Sequence, residues 1–137
     1  MSDATATRRP GFATVATVLL WVVQAVLAFQ FAGAGFMKLS GAPAMVDMFT
    51  TIGAGQWLRY LVGALELAGA VGLLVPRLAG PAALGLVALM IGATITNLFV
   101  LGASPWLPIV FGLVAALVAG ARRAQTAALV ARFGPRR

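Results

Sequence analysis

"LAGPAALGLVALMIGATITNLFVLGASPWLPIVFGLVAALVAGA", residues 78–121, runs for 44 positions without an Asp, Glu, Lys or Arg. Soluble domains carry about 25% charged residues, so a run of this kind is not built to face water. A helix crosses the hydrocarbon core in about 20 apolar residues, and this stretch is twice that length. "GASPWLP" (102–108) divides it, because one Gly and two Pro residues punctuate helices. Two spans follow, about 81–101 and about 106–121.

The pattern extends outward from there. Residues 10–37 hold no charge and give a first span at about 12–36. It exceeds a signal-peptide apolar region and no small-residue cleavage site follows it, so it reads as retained. A second span, about 57–75, contains Glu66 in "LVGALELAGAVGLLV" (61–75), with Arg59 near its start and Pro76 and Arg77 after its end. The whole chain has 137 residues, 61% of them hydrophobic and 9% charged. The expected fold is an all-α membrane protein. It is one membrane domain, residues 1–137, forming a four-transmembrane-helix bundle with the lipid bilayer as its main solvent.

Charge sets the orientation. With the N-terminus inside, the inner side holds Arg8, Arg9, Arg77, Arg122, Arg123, Arg132, Arg136 and Arg137, and the outer side only Lys38 and Arg59. Cytoplasmic sides collect Lys and Arg, so both termini are expected in the cytoplasm. Trp57, Tyr60 and Trp106 then fall at the outer interface, where amphipathic aromatics sit. The basic tail, 122–137, is expected at the inner surface, in contact with anionic lipid and as a short helix ("ARRAQTAALVARF"). The net charge of +7 does not point to nucleic acid, since no basic stripe is interleaved with aromatics. There is no Cys and no His, which excludes thiolate chemistry, His-ligated haem and imidazole acid–base work. No metal site and no catalytic residue are expected, and the chain does not read as an enzyme by itself.

The first outer loop is longer than a hairpin needs. Met45, Met48, Phe49 and Ile52 follow a helical stripe, with Ser40 and Pro43 before it and Gly53 after it. A short amphipathic helix at about 43–52 is expected on the outer face, either plugging the bundle or gating it. Small residues spaced by four suit close helix packing in lipid: Ala28 and Ala32; Ala64, Ala68 and Gly72; Ala88 and Gly92; Gly112, Ala116 and Gly120.

Glu66 lies nine residues past Trp57, about 13 Å deep at 1.5 Å per residue. A carboxylate there must be protonated, paired or wetted, and an acid inside a membrane is a functional hypothesis by default. Lys38, the chain's one Lys, ends the first hydrophobic run and is its counter-ion if its stem turns inward. Arg59 shares a helix face with Glu66, but is about 10.5 Å away along the axis. Gln30, Thr94 and Asn97 occupy similar depths. The expected ligand-binding set is therefore Gln30, Lys38, Arg59, Glu66, Thr94 and Asn97, lining a polar pocket that opens outward. Each also has a plain reading: interhelical hydrogen bonding for Gln30, Thr94 and Asn97, interfacial anchoring for Lys38, and a register-fixing pair for Glu66 with Lys38. Gln24 is deeper and about 120° around its helix from Gln30, outside this pocket.

"FAGAGFMKLSGAPAMVDMF" (31–49) and "WLRYLVGALELAGAVGLLVPRLAGPAALGLVALMIGAT" (57–94) together resemble the DoxX-like family of small bacterial membrane proteins. The similarity covers roughly residues 15–121. It rests on an aromatic–Ala–Gly stretch before Lys38-Leu39, a Met-x-x-x-Phe segment, and a Glu-Leu-x-Gly helix ending in Pro-Arg. The resemblance implies a four-helix protein of the bacterial cytoplasmic (inner) membrane. One relative is a subunit of a thiosulfate:quinone oxidoreductase, and others are associated with membrane oxidoreductases and oxidative stress. Family members often carry a His near the outer end of the third helix, where this chain has Asn97 in "TITNLFV", which weakens any proton-transfer or metal role carried over. The expected function is a non-catalytic subunit or small-ligand-binding bundle of a membrane redox system. No resident cofactor is expected, a quinone being the candidate if there is one; the pocket would hold a small polar or quinone-like molecule, or a partner's membrane helix. A membrane oxidoreductase and further copies of the chain are the expected partners. The rival expectation is a small proton-coupled carrier, acting as an oligomer through Glu66.

Overall fold

A computed structural model describes residues 11–135, all of its regular structure helical. The arginines at 8, 9, 136 and 137 used in the charge count lie outside the described residues. Six helices follow in order: α1 Phe12–Leu39, α2 Pro43–Ile52, α3 Gln56–Leu74, α4 Ala79–Thr96, α5 Trp106–Ala121 and α6 Arg123–Phe133. The α4 helix continues as a π-helical turn, Asn97–Leu101, and stops at Gly102 with φ 59°. Three stretches are long and apolar enough to cross a membrane: Phe12–Leu39, Gln56–Leu74 and Ala79–Leu101. The α5 and α6 helices pass that test only together, as a pair bent by 67°. Alone, α5 has 16 residues, about 24 Å of helix against a core of about 30 Å.

Several boundaries differ from the expectation for local reasons. The α1 helix does not end before Lys38. It carries Lys38 in its last turn and is closed by Ser40, whose N–H bonds the Phe36 carbonyl at 2.8 Å. Ser40 therefore finishes α1 and does not cap α2. Ala42 holds the α2 cap position without a side-chain bond, and Pro43 opens that helix where its missing N–H costs nothing. Gly53, left-handed at φ 79°, closes α2.

The α1 helix lies along α3 and α4 along α5; contacts between α3 and α4, and between α1 and α5, complete a ring. The α2 helix sits across one end, on α3, the π-turn and α1, while α6 lies at the other end against α4. The core is narrow and apolar: Leu27 and Phe31 of α1, Leu73 of α3, Leu86 and Met90 of α4, and Val118 of α5. The outside is apolar too, with Phe29 79% exposed and Leu113 67% exposed. Lipid solvates such a surface and water does not.

The small-residue ridges correct the expectation in part. Ala64 and Ala68 are exposed, and a Cβ added at Gly92 or Gly120 would meet nothing within 4 Å. Gly72 does pack, 2.7 Å from Ala82 Cβ by the same test, and Gly112 stands 3.2 Å from Met90 Cβ. Ala and Gly are so common here that four-residue spacing also arises on faces turned away from the bundle. A close backbone approach lies elsewhere, between Gly35 and Gly63.

Candidate functional site

The buried stripe of α3 is Arg59, Gly63, Glu66, Ala70 and Leu73, spaced alternately by four and three. The buried stripe of α1 includes Gln24, Ala28, Phe31 and Gly35, spaced by four, three and four. This is a seven-residue repeat on both helices, the pattern of two antiparallel helices packed along their length. Toward the α2 end the backbones nearly touch. A Cβ on Gly35 would stand 2.7 Å from the Gly63 carbonyl oxygen, and one on Gly63 would stand 2.9 Å from Lys38 Cβ. Only Gly at both positions allows that approach.

The crossing delivers two charges to each other. In any α-helix the Cα–Cβ bond tilts toward the helix N-terminus. Because α1 and α3 run antiparallel, Lys38 leans into the bundle from the α2 end, and Glu66 leans back toward it. Lys38 Nζ donates to Glu66 Oε1 at 3.1 Å and stands 2.9 Å from Oε2. Glu66 is 4% exposed. Its Oε2 has the ammonium's charge beside it but accepts no hydrogen bond from the described residues. Among the described residues this is the one salt bridge.

Arg59 is buried but does not join that pair. Its Nη1 donates to the Lys38 carbonyl, one of the last carbonyls of α1, which also accepts the Gly41 N–H at 3.4 Å. Its Nε donates to Gln56 Oε1 at 2.7 Å, and its guanidinium lies 4.3 Å from the centre of the Tyr60 ring. Gln56 in turn donates to the Val46 carbonyl and to Thr50 Oγ1, both at 3.1 Å. Polar contacts thus run unbroken from α2 through Gln56 and Arg59 to Lys38, and from Lys38 to Glu66. Lys38 is held at both ends, by its backbone to Arg59 and by its side chain to Glu66.

Two cavities share this pair. The larger, about 320 Å³, lies under α2 and takes Met48, Phe49 and Ile52 as its roof, with Thr96 and Asn97 opposite. The smaller, about 160 Å³, lies between α1 and α5 and is lined by Gln30, Phe31, Leu107 and Phe111. Lys38, Glu66, Met90, Ala93 and Asn97 border both. Asn97 opens the π-turn, and its Nδ2 donates to the Ser104 carbonyl at 2.8 Å, tying that turn to the α4–α5 loop.

Of the six residues expected from the sequence, Lys38, Glu66 and Asn97 come together around both cavities, and Gln30 lines the smaller one. Arg59 borders neither and supports Lys38 from behind. Thr94 also borders neither. Its hydroxyl is spent on the Met90 carbonyl at 2.8 Å, and it sits off the stripe that carries Ala93, Thr96 and Asn97. Gln56, Thr96, Gly35 and Gly63 were not anticipated. A signal for the glycines was present: Gly35-x-x-Lys38 and Gly63-x-x-Glu66 place each charge three residues after the glycine of its helix.

Gln24 belongs to a different junction. Fully buried, it donates to the Leu73 carbonyl at 2.7 Å and accepts from Arg122 Nε at 2.9 Å, joining α1, the end of α3 and the end of α5.

No curated protein and no solved structure matches this chain. The model of the DoxX-like family matches residues 22–121, beginning inside α1, just before Gln24, and ending with α5, so that the α1–α3 crossing and the Lys38–Glu66 pair fall within it. The chain belongs to the DoxX-like family and is a membrane protein of that family.

Proposed function

We propose that this chain is a four-span protein of the bacterial cytoplasmic membrane, both termini inside, that binds a small amphiphilic molecule at the Lys38–Glu66 pair. In this reading α5 is the fourth span and α2 is an amphipathic roof on the outer face. The charge distribution supports it. Arg77, Arg122, Arg123 and Arg132 gather at the α6 end, while exposed Trp57, Tyr60 and Trp106 ring the α2 end.

The observation that carries the binding role is a largely buried ion pair, its side chains 12% and 5% exposed, shared by two mostly apolar cavities. A pair whose only task is helix register needs no space around it. Here the space has apolar walls for a ligand body, an ammonium to donate, and a free carboxylate oxygen to accept. A quinone-like head group is one ligand of suitable polarity. With no Cys and no His in the chain, it would act as a non-catalytic, ligand-holding subunit of a membrane redox system, in contact with an oxidoreductase partner.

The test is native mass spectrometry and a pull-down in mild detergent on wild type, Glu66→Gln and Lys38→Met. A charge-assisted hydrogen bond contributes about 1.5–3 kcal/mol, so each variant should lose about tenfold or more in retained small molecule or partner while still inserting. Wild-type retention by both variants would remove the proposal.

The shared wall between two cavities also favours a second reading, a proton-coupled carrier working as an oligomer with Glu66 as its exchanging acid. Flux into proteoliposomes under a pH gradient, abolished by Glu66→Gln, would support it. Absence of Glu66-dependent flux would dismiss it.

A further inference from the structure

At the α6 end, a cavity of about 340 Å³ opens between the α3–α4 turn and α6. Its lining is Pro76, Arg77, Gln125, Ala128, Leu129 and Arg132. Two of the four arginines at this end are already engaged within the fold. Arg122 bonds Gln24 at 2.9 Å and lies 5.1 Å from the centre of the Trp21 ring, and Arg123 donates to the Gly120 carbonyl at 3.3 Å. Arg77 and Arg132 make no side-chain hydrogen bond or ion pair with any described residue.

Gln125 completes the set. Its Oε1 accepts the Gly80 N–H at 3.2 Å, which fixes the amide and leaves its NH₂ group for the cavity. The free polar groups of this cavity are therefore donors, two of them cationic, beside an apolar ledge of Pro76, Ala128 and Leu129. The two carboxylates among the described residues, Asp47 and Glu66, belong to α2 and to the α2-side half of the bundle. Among the described residues, nothing at the α6 end neutralises Arg77 or Arg132.

From this lining we propose that Arg77, Arg132 and Gln125 form a binding site for the phosphodiester head group of an anionic phospholipid. Guanidinium groups match the planar, two-oxygen face of a phosphate, and the ledge receives the start of the glycerol and acyl region. The bend of 67° between α5 and α6 places Arg132 on the same cavity as Arg77, which a straight continuation of α5 would carry away from it. The site rests on the bundle spanning a bilayer and is independent of the Lys38–Glu66 ligand.

The experiment measures lipid retention by the full chain in detergent, titrated separately with phosphatidylglycerol, phosphatidylcholine and inorganic phosphate, and read by native mass spectrometry. Each arginine near an anionic surface contributes about 1 kcal/mol, or about fivefold. Phosphatidylglycerol should bind in preference to phosphatidylcholine. Arg77→Gln and Arg132→Gln should each weaken it about fivefold, and the double variant about 25-fold. Arg123→Gln removes the same charge from the same end without lining the cavity, and should change retention less than twofold. Circular dichroism confirms that each variant keeps its helices. Equal retention of both lipids, equal loss in Arg123→Gln, or phosphate binding that displaces the lipid fully would each overturn the site.

Discussion

A Cβ is the smallest change that tests the site. The α1–α3 crossing has no room for one at Gly35, where it would stand 2.7 Å from a backbone oxygen that cannot rotate away. Gly35→Ala should push the helices apart and cost about 1–3 kcal/mol, read as a lower unfolding midpoint in detergent. Gly120→Ala, with nothing within 4 Å, should be neutral or stabilising by up to about 1 kcal/mol. Equal effects at both positions would mean that the crossing is looser than described. The charges at this crossing were legible in the sequence, because depth is a count of residues and a buried acid must find a partner. The glycines were harder to pick out, since 16 of them occur and six face nothing within 4 Å. Thr94 misled for a geometric reason. It has the right depth, but a hydroxyl on a helix satisfies itself on the carbonyl four residues back, and here it does.

Among the elements, α2 is the one whose link to the site is specific. Phe49 is 4% exposed and roofs the larger cavity, while Gln56 ties α2 to Arg59. Phe49→Ala should cost about 3–5 kcal/mol if its loss is felt globally. If α2 opens as a unit, hydrogen exchange of its amides should speed up ahead of those in α3, and uniform exchange in both helices would contradict a separable roof. Asn97→Leu removes the bond that holds the π-turn to the α4–α5 loop, and should destabilise by about 1 kcal/mol in thermal melts. The α2 boundaries followed from Pro43, Gly53 and a helical stripe of apolar residues. The π-turn had no such signature, because a widened helical turn is set by what the backbone meets beside it and not by residue type. The bend after α5 was likewise visible only as Arg122 and Arg123 ending an apolar run.

For the whole molecule, the 44-residue uncharged stretch was enough to point to an apolar, all-helical chain, and successive spans crossing in alternating directions implied antiparallel neighbours. The α5 helix is short for a span, so topology needs its own test. The chain has no Cys, so single cysteines can be introduced without further change. In intact spheroplasts a membrane-impermeant maleimide should label Ser40→Cys and Ser104→Cys, and should label Ala127→Cys only after permeabilisation; labelling of Ser40→Cys and Ala127→Cys from the same side would break the four-span reading. What every larger statement depends on is that α1 and α3 meet closely enough for a lysine and a glutamate to neutralise each other away from water. The direct measurement is a double-mutant cycle on unfolding in detergent, comparing Lys38→Met, Glu66→Gln and the two combined. Each single change leaves an uncompensated buried group and should cost about 3–5 kcal/mol, and the combination should cost less than their sum by about 1–3 kcal/mol. Additive costs, within about 0.5 kcal/mol, would mean that the two charges do not hold each other.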